Sequence, residues 1–261
     1  MTAEFAVVGD PVAHSLSPAI QHAAFNAVGM DARYRAVRVD SAGLAAIFDD
    51  LRSGRLTGVN VTMPHKRLAC EMADRVEGPA IQAGSVNTLI VGGTAVIGIS
   101  TDIPAIVAEW KRKRLPIGSA LILGAGGAAA AALVALREMD LYVSARSSDK
   151  LTEMLARIGV RATTVPWGTP IPGAVVVNAT PLGMRNETLP TGLLAESDGL
   201  FDMAYGALPT PSVIAARTLG HPVVDGLDML TAQAALSFEA WTGRSAPFEA
   251  MREAAQIAQG W

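Results

Sequence analysis

Short apolar runs cut by glycine and proline alternate along this chain with stretches of helical spacing. Residues 5–9 (Phe-Ala-Val-Val-Gly) form an apolar run stopped by Gly9-Asp10-Pro11, which predicts a buried strand feeding a loop. Ser17-Pro18 marks a helix start, with serine at the cap and proline at the first helical position. Ile20, Ala23, Ala24 and Ala27 are its expected inward face, and Gly29 its stop. Residues 34–39 alternate as a second strand, residues 44–51 have helical spacing, and residues 58–62 read as a third strand. Beyond Pro64, residues 66–72 fit a helix, and residues 86–91 and 95–99 read as two short strands around Gly92-Gly93.

The second half repeats the alternation with different punctuation. Residues 102–110 predict a helix that tolerates Pro104 in its first turn. The basic run Lys111-Arg112-Lys113-Arg114 then stands at the helix C-terminus, where dipole and solvent both favour cations, so a solvated helix end is expected. Pro116-Ile117-Gly118 breaks the chain, and residues 102–116 read as the connection between domains. A strand (120–123), a glycine turn (124–127), a helix (128–139) and a strand (141–144) follow. Strand-helix alternation in both halves predicts an α/β protein.

Length and composition shape this picture further. With 261 residues, half of them hydrophobic, the chain has material for two modest domains rather than one core. The 21 basic and 24 acidic residues leave a formal charge of -3, which argues against a nucleic-acid partner held by bulk electrostatics. No apolar run reaches the roughly 18 residues of a membrane span, and Met1-Thr2-Ala3-Glu4 lacks a basic signal-peptide start. The expectation is a cytoplasmic protein without a membrane partner. Cys70 is the one cysteine, so an intrachain disulfide and a thiolate metal cluster are excluded. The four histidines show no metal spacing, and no metal is expected.

Two groups of residues carry chemistry. Gly124-Ala125-Gly126-Gly127-Ala128-Ala129 fits G-x-G-x-x-A between a strand and a helix. Its glycines permit a tight turn and close approach of a pyrophosphate, with free helix N–H groups facing the anion. At the end of the next strand an NAD site usually places a carboxylate and an NADP site a cation. Here Arg146 and Lys150 are cations and Ser147 and Ser148 are donors, with Asp149 the dissenting residue, so NADP is favoured over NAD. Ser15, Ser17, Asn60, Thr62, Lys66, Asn87 and Asp102 form the second group, mostly at or just after predicted strand ends. In open α/β sheets ligands sit beyond the carboxyl ends of strands. Hydroxyls, amides and one opposed-charge pair suit a small ligand with several hydroxyls and a carboxylate. A neighbouring aspartate would raise the lysine's proton affinity and burial would lower it, and residue order leaves that balance open.

Read in order, these segments resemble the shikimate/quinate dehydrogenase family over nearly the full length. They are Gly9-Asp-Pro-Val-Ala-His-Ser-Leu-Ser-Pro18, Asn60-Val-Thr-Met-Pro-His-Lys66, Gly84-Ser-Val-Asn-Thr88 and the glycine turn at Gly124. Further on stand Asn178-Ala-Thr-Pro-Leu-Gly-Met184, Asp202-Met-Ala-Tyr205 and Gly226-Leu-Asp-Met-Leu-Thr-Ala-Gln-Ala234. The resemblance implies reversible NADP-linked reduction of 3-dehydroshikimate to shikimate, in aromatic amino acid biosynthesis. It implies an N-terminal α/β substrate domain (1–101), a Rossmann-type dinucleotide domain with a central parallel sheet (102–225), and C-terminal helices (226–261) packing back on the first. Ser15, Ser17, Thr62, Asn87, Tyr205 and Gln233 would hold substrate, and Lys66 and Asp102 would move the proton. Gly124, Ala125, Gly126, Gly127, Ala128, Arg146, Ser147, Lys150, Thr180, Met184 and Gly226 would line the cofactor.

Departures from the family pattern bear on the substrate. The family usually reads Asn-Thr-Asp-Gly around its aspartate, and this chain reads Ser100-Thr101-Asp102-Ile103. Ile103 is expected to restrict the backbone and the active-site wall. Ala145 replaces an asparagine before the cofactor-reading arginine, and Ala207 a proline. Ser17 keeps the form that favours shikimate over quinate. A quinate or related cyclohexene-carboxylate dehydrogenase and a non-catalytic ligand-sensing homologue are the alternatives.

Overall fold

The structure is a computed structural model and describes residues 2–206 and 209–259. Ala207, singled out above, lies outside the described residues. The chain divides into two compact units, residues 2–101 with Thr231–Gln259, and Asp102–Leu230.

In the first unit β1 (Ala3–Gly9), α1 (Ser17–Ala27), β2 (Ala32–Arg38), α2 (Ser41–Arg52), β3 (Gly58–Val61), α3 (Lys66–Met72), β4 (Arg75–Val76), α4 (Ala80–Ala83), β5 (Thr88–Gly92) and β6 (Ala95–Ile99) follow in order. The strands make one mixed sheet, β2-β1-β3-β5-β6-β4, in which β5 is antiparallel to both neighbours. Alternation assigns the faces of β1. Ala6 and Val8 pack with Leu44, Ile47, Phe48 and Leu51, the stripe of α2. On the other face Phe5 stacks on Phe25 of α1, with ring centroids 5.1 Å apart, and meets Trp241 at 5.0 Å. Gly58 makes room for that indole, because a Cβ there would lie 2.3 Å from Trp241 Nε1.

Three details differ from the residue pattern. Ser17 is already helical and Leu16 is the cap, so Pro18 sits in the first turn rather than opening it. The inward face of α1 carries Gln21 and Phe25 beside Ile20 and Ala24, while Ala27 is exposed, because the aromatic cluster draws in Phe25. β4 and α4 were not anticipated; two and four residues are too short to show a period.

The second unit runs α5 (Asp102–Arg112), β7 (Ser119–Leu123), α6 (Gly127–Ala135), β8 (Asp140–Ser144), α7 (Ser148–Ile158), β9 (Thr163–Thr164), β10 (Val175–Asn178), β11 (Gly199–Asp202), α8 (Pro211–Thr218) and β12 (Val223–Val224). Its sheet is all parallel in the order β12-β11-β10-β7-β8-β9. Counted within the unit this is the doubly wound 3-2-1-4-5-6 arrangement, with the order reversing between β7 and β10. α6 buries every residue from Ala129 to Val134, as an apolar helix against a parallel sheet must. It ends at Ala135, short of the expected Met139.

Residues 102–116 are not a bare connection, since α5 packs in the second unit and against α6. The solvated helix end also needs correction. Lys111 and Arg114 are exposed, but Arg112 pairs with Glu109 and Asp228, and Lys113 with Asp228. Asp228 lies in the first turn of α9 (Gly226–Thr242), which precedes α10 (Phe248–Gln259). Among the described residues no helix is long and apolar enough to cross a membrane.

Candidate active site

Three strand ends and one strand start share an edge of the first sheet. β1 and β3 are parallel and end at Gly9 and Val61; β5 starts at Thr88, paired with Asn60 and Ile99 of β6. The connections there carry Ser15 and Ser17 beyond β1, Thr62 and Lys66 beyond β3, Asn87 before β5, and Thr101 beyond β6.

Each is held locally. Ser17 N–H donates to Ser15 Oγ at 3.3 Å. Thr62 N–H donates to Val8 O at 2.9 Å. A Cβ on Gly9 would lie 2.3 Å from Thr62 Cγ2, so glycine lets β1 and the Thr62 turn meet. His65 is buried with Nε2 at 2.8 Å from Val39 O, a structural role. Lys66, half-buried, opens α3, and its carbonyl accepts from Val86 N–H at 3.0 Å.

Asn87 is the best-tied group. Its Oδ1 accepts from Thr101 N–H at 2.7 Å, and its Nδ2 faces Thr101 Oγ1 at 2.9 Å and Gln233 Oε1 at 3.3 Å. Asn60, one of the residues picked out for ligand chemistry, is buried and serves as a hub instead. Its Nδ2 donates to Asn87 O, Thr88 Oγ1 and Ser237 Oγ, and its Oδ1 accepts from Tyr34 Oη. Tyr34, Thr88, Thr101 and Ser237 were missed as part of this constellation. A signal existed for two of them. Ser237 follows Gln233 by one helical turn among alanines and Phe238, and Tyr34 is the apolar position between Arg33 and Arg35.

The remaining site residues of this group fall in the second unit. Asp102, buried, opens α5, and half-buried Tyr205 follows β11. Ile103 is buried in the first turn of α5 with helical backbone, so no glycine conformation is needed there. The expected backbone restriction therefore has nothing to act on. Ser100 Oγ is buried with no hydrogen-bond partner among the described residues.

The glycine turn lies at the reversal of the second sheet. Gly124 has φ +124°, and a Cβ there would meet Ala179 O at 2.9 Å. Gly126 caps α6 without any side-chain bond and has open space where a Cβ would stand. Uncapped N–H groups beside bare backbone fit a dinucleotide pyrophosphate. Arg146 and Lys150 are exposed after β8, while Ser147 is the N-cap of α7 and accepts from Lys150 N–H at 3.4 Å. Asp149 sits in the first turn of α7, where a carboxylate complements the helix dipole.

Thr180 and Met184 stand on the loop after β10, next to a buried carboxylate. Asn178 Oδ1 accepts from Thr180 Oγ1 at 2.6 Å and from its N–H at 3.1 Å, and Asn178 Nδ2 donates to Leu182 O and Asp202 Oδ1. Asp202 also accepts from Thr210 Oγ1 at 2.5 Å and Ala204 N–H at 3.0 Å. Burial pushes the Asp202 carboxyl up to about 6 against these donors. Gly226 has a packing reason of its own, since a Cβ would lie 2.1 Å from Ala204 O. Among the described residues no group of three or more His, Cys, Asp or Glu side chains could hold a metal ion.

Similarity to known proteins agrees with this geometry. Residues 7–89 match the shikimate dehydrogenase substrate binding domain, and residues 226–256 the shikimate 5'-dehydrogenase C-terminal domain. Shikimate dehydrogenase (NADP(+)) of Anaeromyxobacter sp. is 38% identical, covering 99% of this chain and 97% of that one. The chain belongs to the shikimate dehydrogenase family. Shikimate 5-dehydrogenase of Thermus thermophilus, solved with NADP(H) and shikimate, superposes with TM-score 0.89 at 35% identity, covering 98% of this chain and 100% of that one. The same architecture holds other chemistry. 5-Ketofructose reductase of Gluconobacter sp. strain CHM43, in ligand-free form, gives TM-score 0.86 at 26% identity over 98% of this chain and 99% of that one.

Proposed function

We propose that this protein is an NADP-dependent shikimate dehydrogenase that interconverts 3-dehydroshikimate and shikimate. The observation that carries the reading is the polar edge of the first sheet. There Ser15, Ser17, Thr62 and Asn87 gather beside Lys66, with Gln233 3.3 Å from Asn87. Hydroxyls and amides in that number suit a ring bearing hydroxyls and a carboxylate, and the family's full-length relatives act on shikimate by name. Residues 1–101 with the C-terminal helices take the substrate, and residues 102–225 take the dinucleotide.

In the oxidation direction Lys66 accepts the proton of the reacting hydroxyl, and in reduction it returns it; Asp102 orients the amine. Bound NADP supplies the hydride acceptor or donor. Ser15, Ser17, Thr62, Asn87, Tyr205 and Gln233 hold the ring so that one hydroxyl faces Lys66. Gly124, Ala125, Gly126, Gly127 and Ala128 hold the pyrophosphate, Arg146, Ser147 and Lys150 the 2′-phosphate, and Thr180, Met184 and Gly226 border the nicotinamide end.

One observation favours a second reading. Ser100 and Ile103 depart from the family pattern beside Asp102, and 5-ketofructose reductase shares the fold. A related polyhydroxylated ketone or ring acid, quinate included, is the alternative substrate. Steady-state assays with shikimate and quinate, each with NADP and NAD, decide between them. The proposal expects the highest kcat/KM for shikimate with NADP. Turnover of neither acid with either cofactor would remove the shikimate and quinate readings and leave a polyhydroxylated ketone as substrate, and binding without turnover would favour a ligand sensor.

A further inference from the structure

We propose that Tyr34 and Ser237 are positioning residues for Asn87 and Gln233, acting through the buried amide of Asn60. The proposal rests on the reading that Asn87 and Gln233 touch the substrate.

The direction of each hydrogen bond follows from donor and acceptor chemistry. Asn87 O lies 2.8 Å from Val61 N and 3.1 Å from Asn60 Nδ2. A carbonyl only accepts, so the amine end of Asn60 must face it. Asn60 Oδ1 is thereby turned to Tyr34 Oη at 2.7 Å, and since that oxygen also only accepts, the phenol must donate. Tyr34 is 2% exposed and sits against the Trp241 ring, so its hydroxyl is aimed by packing.

The other N–H of Asn60 faces Ser237 Oγ at 2.9 Å and Thr88 Oγ1 at 3.0 Å. Ser237 gives its own proton to Gln233 O, one turn back in α9, at 2.9 Å. Its oxygen then offers two lone pairs to three neighbours, Asn60 Nδ2 and the hydroxyls of Thr88 at 2.9 Å and Thr101 at 3.1 Å, so at most two of them donate to it at a time. Thr101 in turn clamps Asn87 through its backbone N–H. Ser237 therefore pins α9 to the strands one turn after Gln233, and Tyr34 keeps the Asn60 amide from rotating out of that arrangement. Without the phenol proton, a buried carbonyl oxygen loses its donor and the amide gains a reason to turn.

Tyr34→Phe and Ser237→Ala each remove one oxygen and keep the surrounding volume. In the full-length protein each should raise the KM for shikimate by about 5–10-fold, the effect of one hydrogen bond, with kcat within about 2-fold and KM for NADP unchanged. The double variant should match either single one rather than multiply them, because both act through Asn60. Multiplicative effects, or a lowered Tm with an unmoved KM, would overturn the proposal. A second readout needs no turnover. The Asn60 side-chain amide protons, followed by NMR, should exchange slowly in wild type and quickly in Tyr34→Phe; equal exchange overturns the network even if shikimate is not the substrate. Wild-type protein inactive on shikimate but showing this exchange difference would sink the functional reading alone.

Discussion

Arg112 Nη2 donates to Asp228 Oδ1 at 2.6 Å, tying the last turn of α5 to the first turn of α9. The same guanidinium closes two bonds of 2.9 Å from Nε onto Glu109, which is only 2% exposed, and Lys113 reaches Asp228 Oδ2 at 2.7 Å. Arg217 holds Asp225, whose Oδ1 accepts from the N–H groups of Leu227 and Asp228.

Removing Arg112 should therefore cost stability out of proportion to a surface cation. Arg112→Met leaves the Glu109 charge buried without its partner, a loss of about 2–4 kcal/mol by urea unfolding. Arg112→Lys should recover only part of it, because an ammonium cannot make the paired contact. A loss under about 0.5 kcal/mol would show that the cluster is the solvated helix end expected from residue order alone.

The same cluster predicts acid sensitivity. Lys113 and Arg112 hold the Asp228 carboxyl below its ordinary value despite burial. A group with depressed folded pKa contributes stability above the unfolded pKa and loses it as pH falls through the folded value. Asp228→Asn should be less stable than wild type near neutrality, with the difference shrinking below about pH 4. A difference independent of pH would contradict the assignment.

Asp202 carries the opposite sign. Its folded pKa is raised to about 6, so its contribution is greatest below the unfolded carboxylate value and is lost as pH rises towards 6. Burial is the cause, and the donors Thr210, Ala204 and Asn178 offset it only partly. In unfolding titrations, wild type should lose on the order of 2–3 kcal/mol relative to Asp202→Asn between about pH 4 and 7. Parallel curves would mean that Asp202 folds with an ordinary pKa.

Much of this was legible in the residues because local chemistry dictated it. Phe5 to Val8, the helical stripe of α2 and the turn at Gly124 each show their period or their glycine within a few positions. Tyr34, Ser237 and Asp228 were not legible in their roles. Their partners lie up to 177 residues away, as between Asn60 and Ser237, and only the packed sheet brings them together. Arg112 misled for a related reason. A cation at a helix end satisfies the dipole in any context, and nothing nearby announces that Asp228 will arrive from another helix.

The proposed function gives the choice of cofactor to Arg146, which is exposed after β8. Arg146→Ala should raise KM for NADP by about 10-fold or more, the loss of a charge-assisted contact, while leaving NAD nearly unaffected. Equal losses for the two cofactors would show that this cation does not read the 2′-phosphate.

The most direct test follows NADPH formation when the purified protein is given shikimate and NADP, with Lys66→Ala measured beside it. The account predicts steady turnover by wild type and a kcat lower by about two to four orders of magnitude in the variant, with shikimate still bound. A variant that turns over at the wild-type rate, or a wild-type protein that forms no NADPH from shikimate, would contradict it.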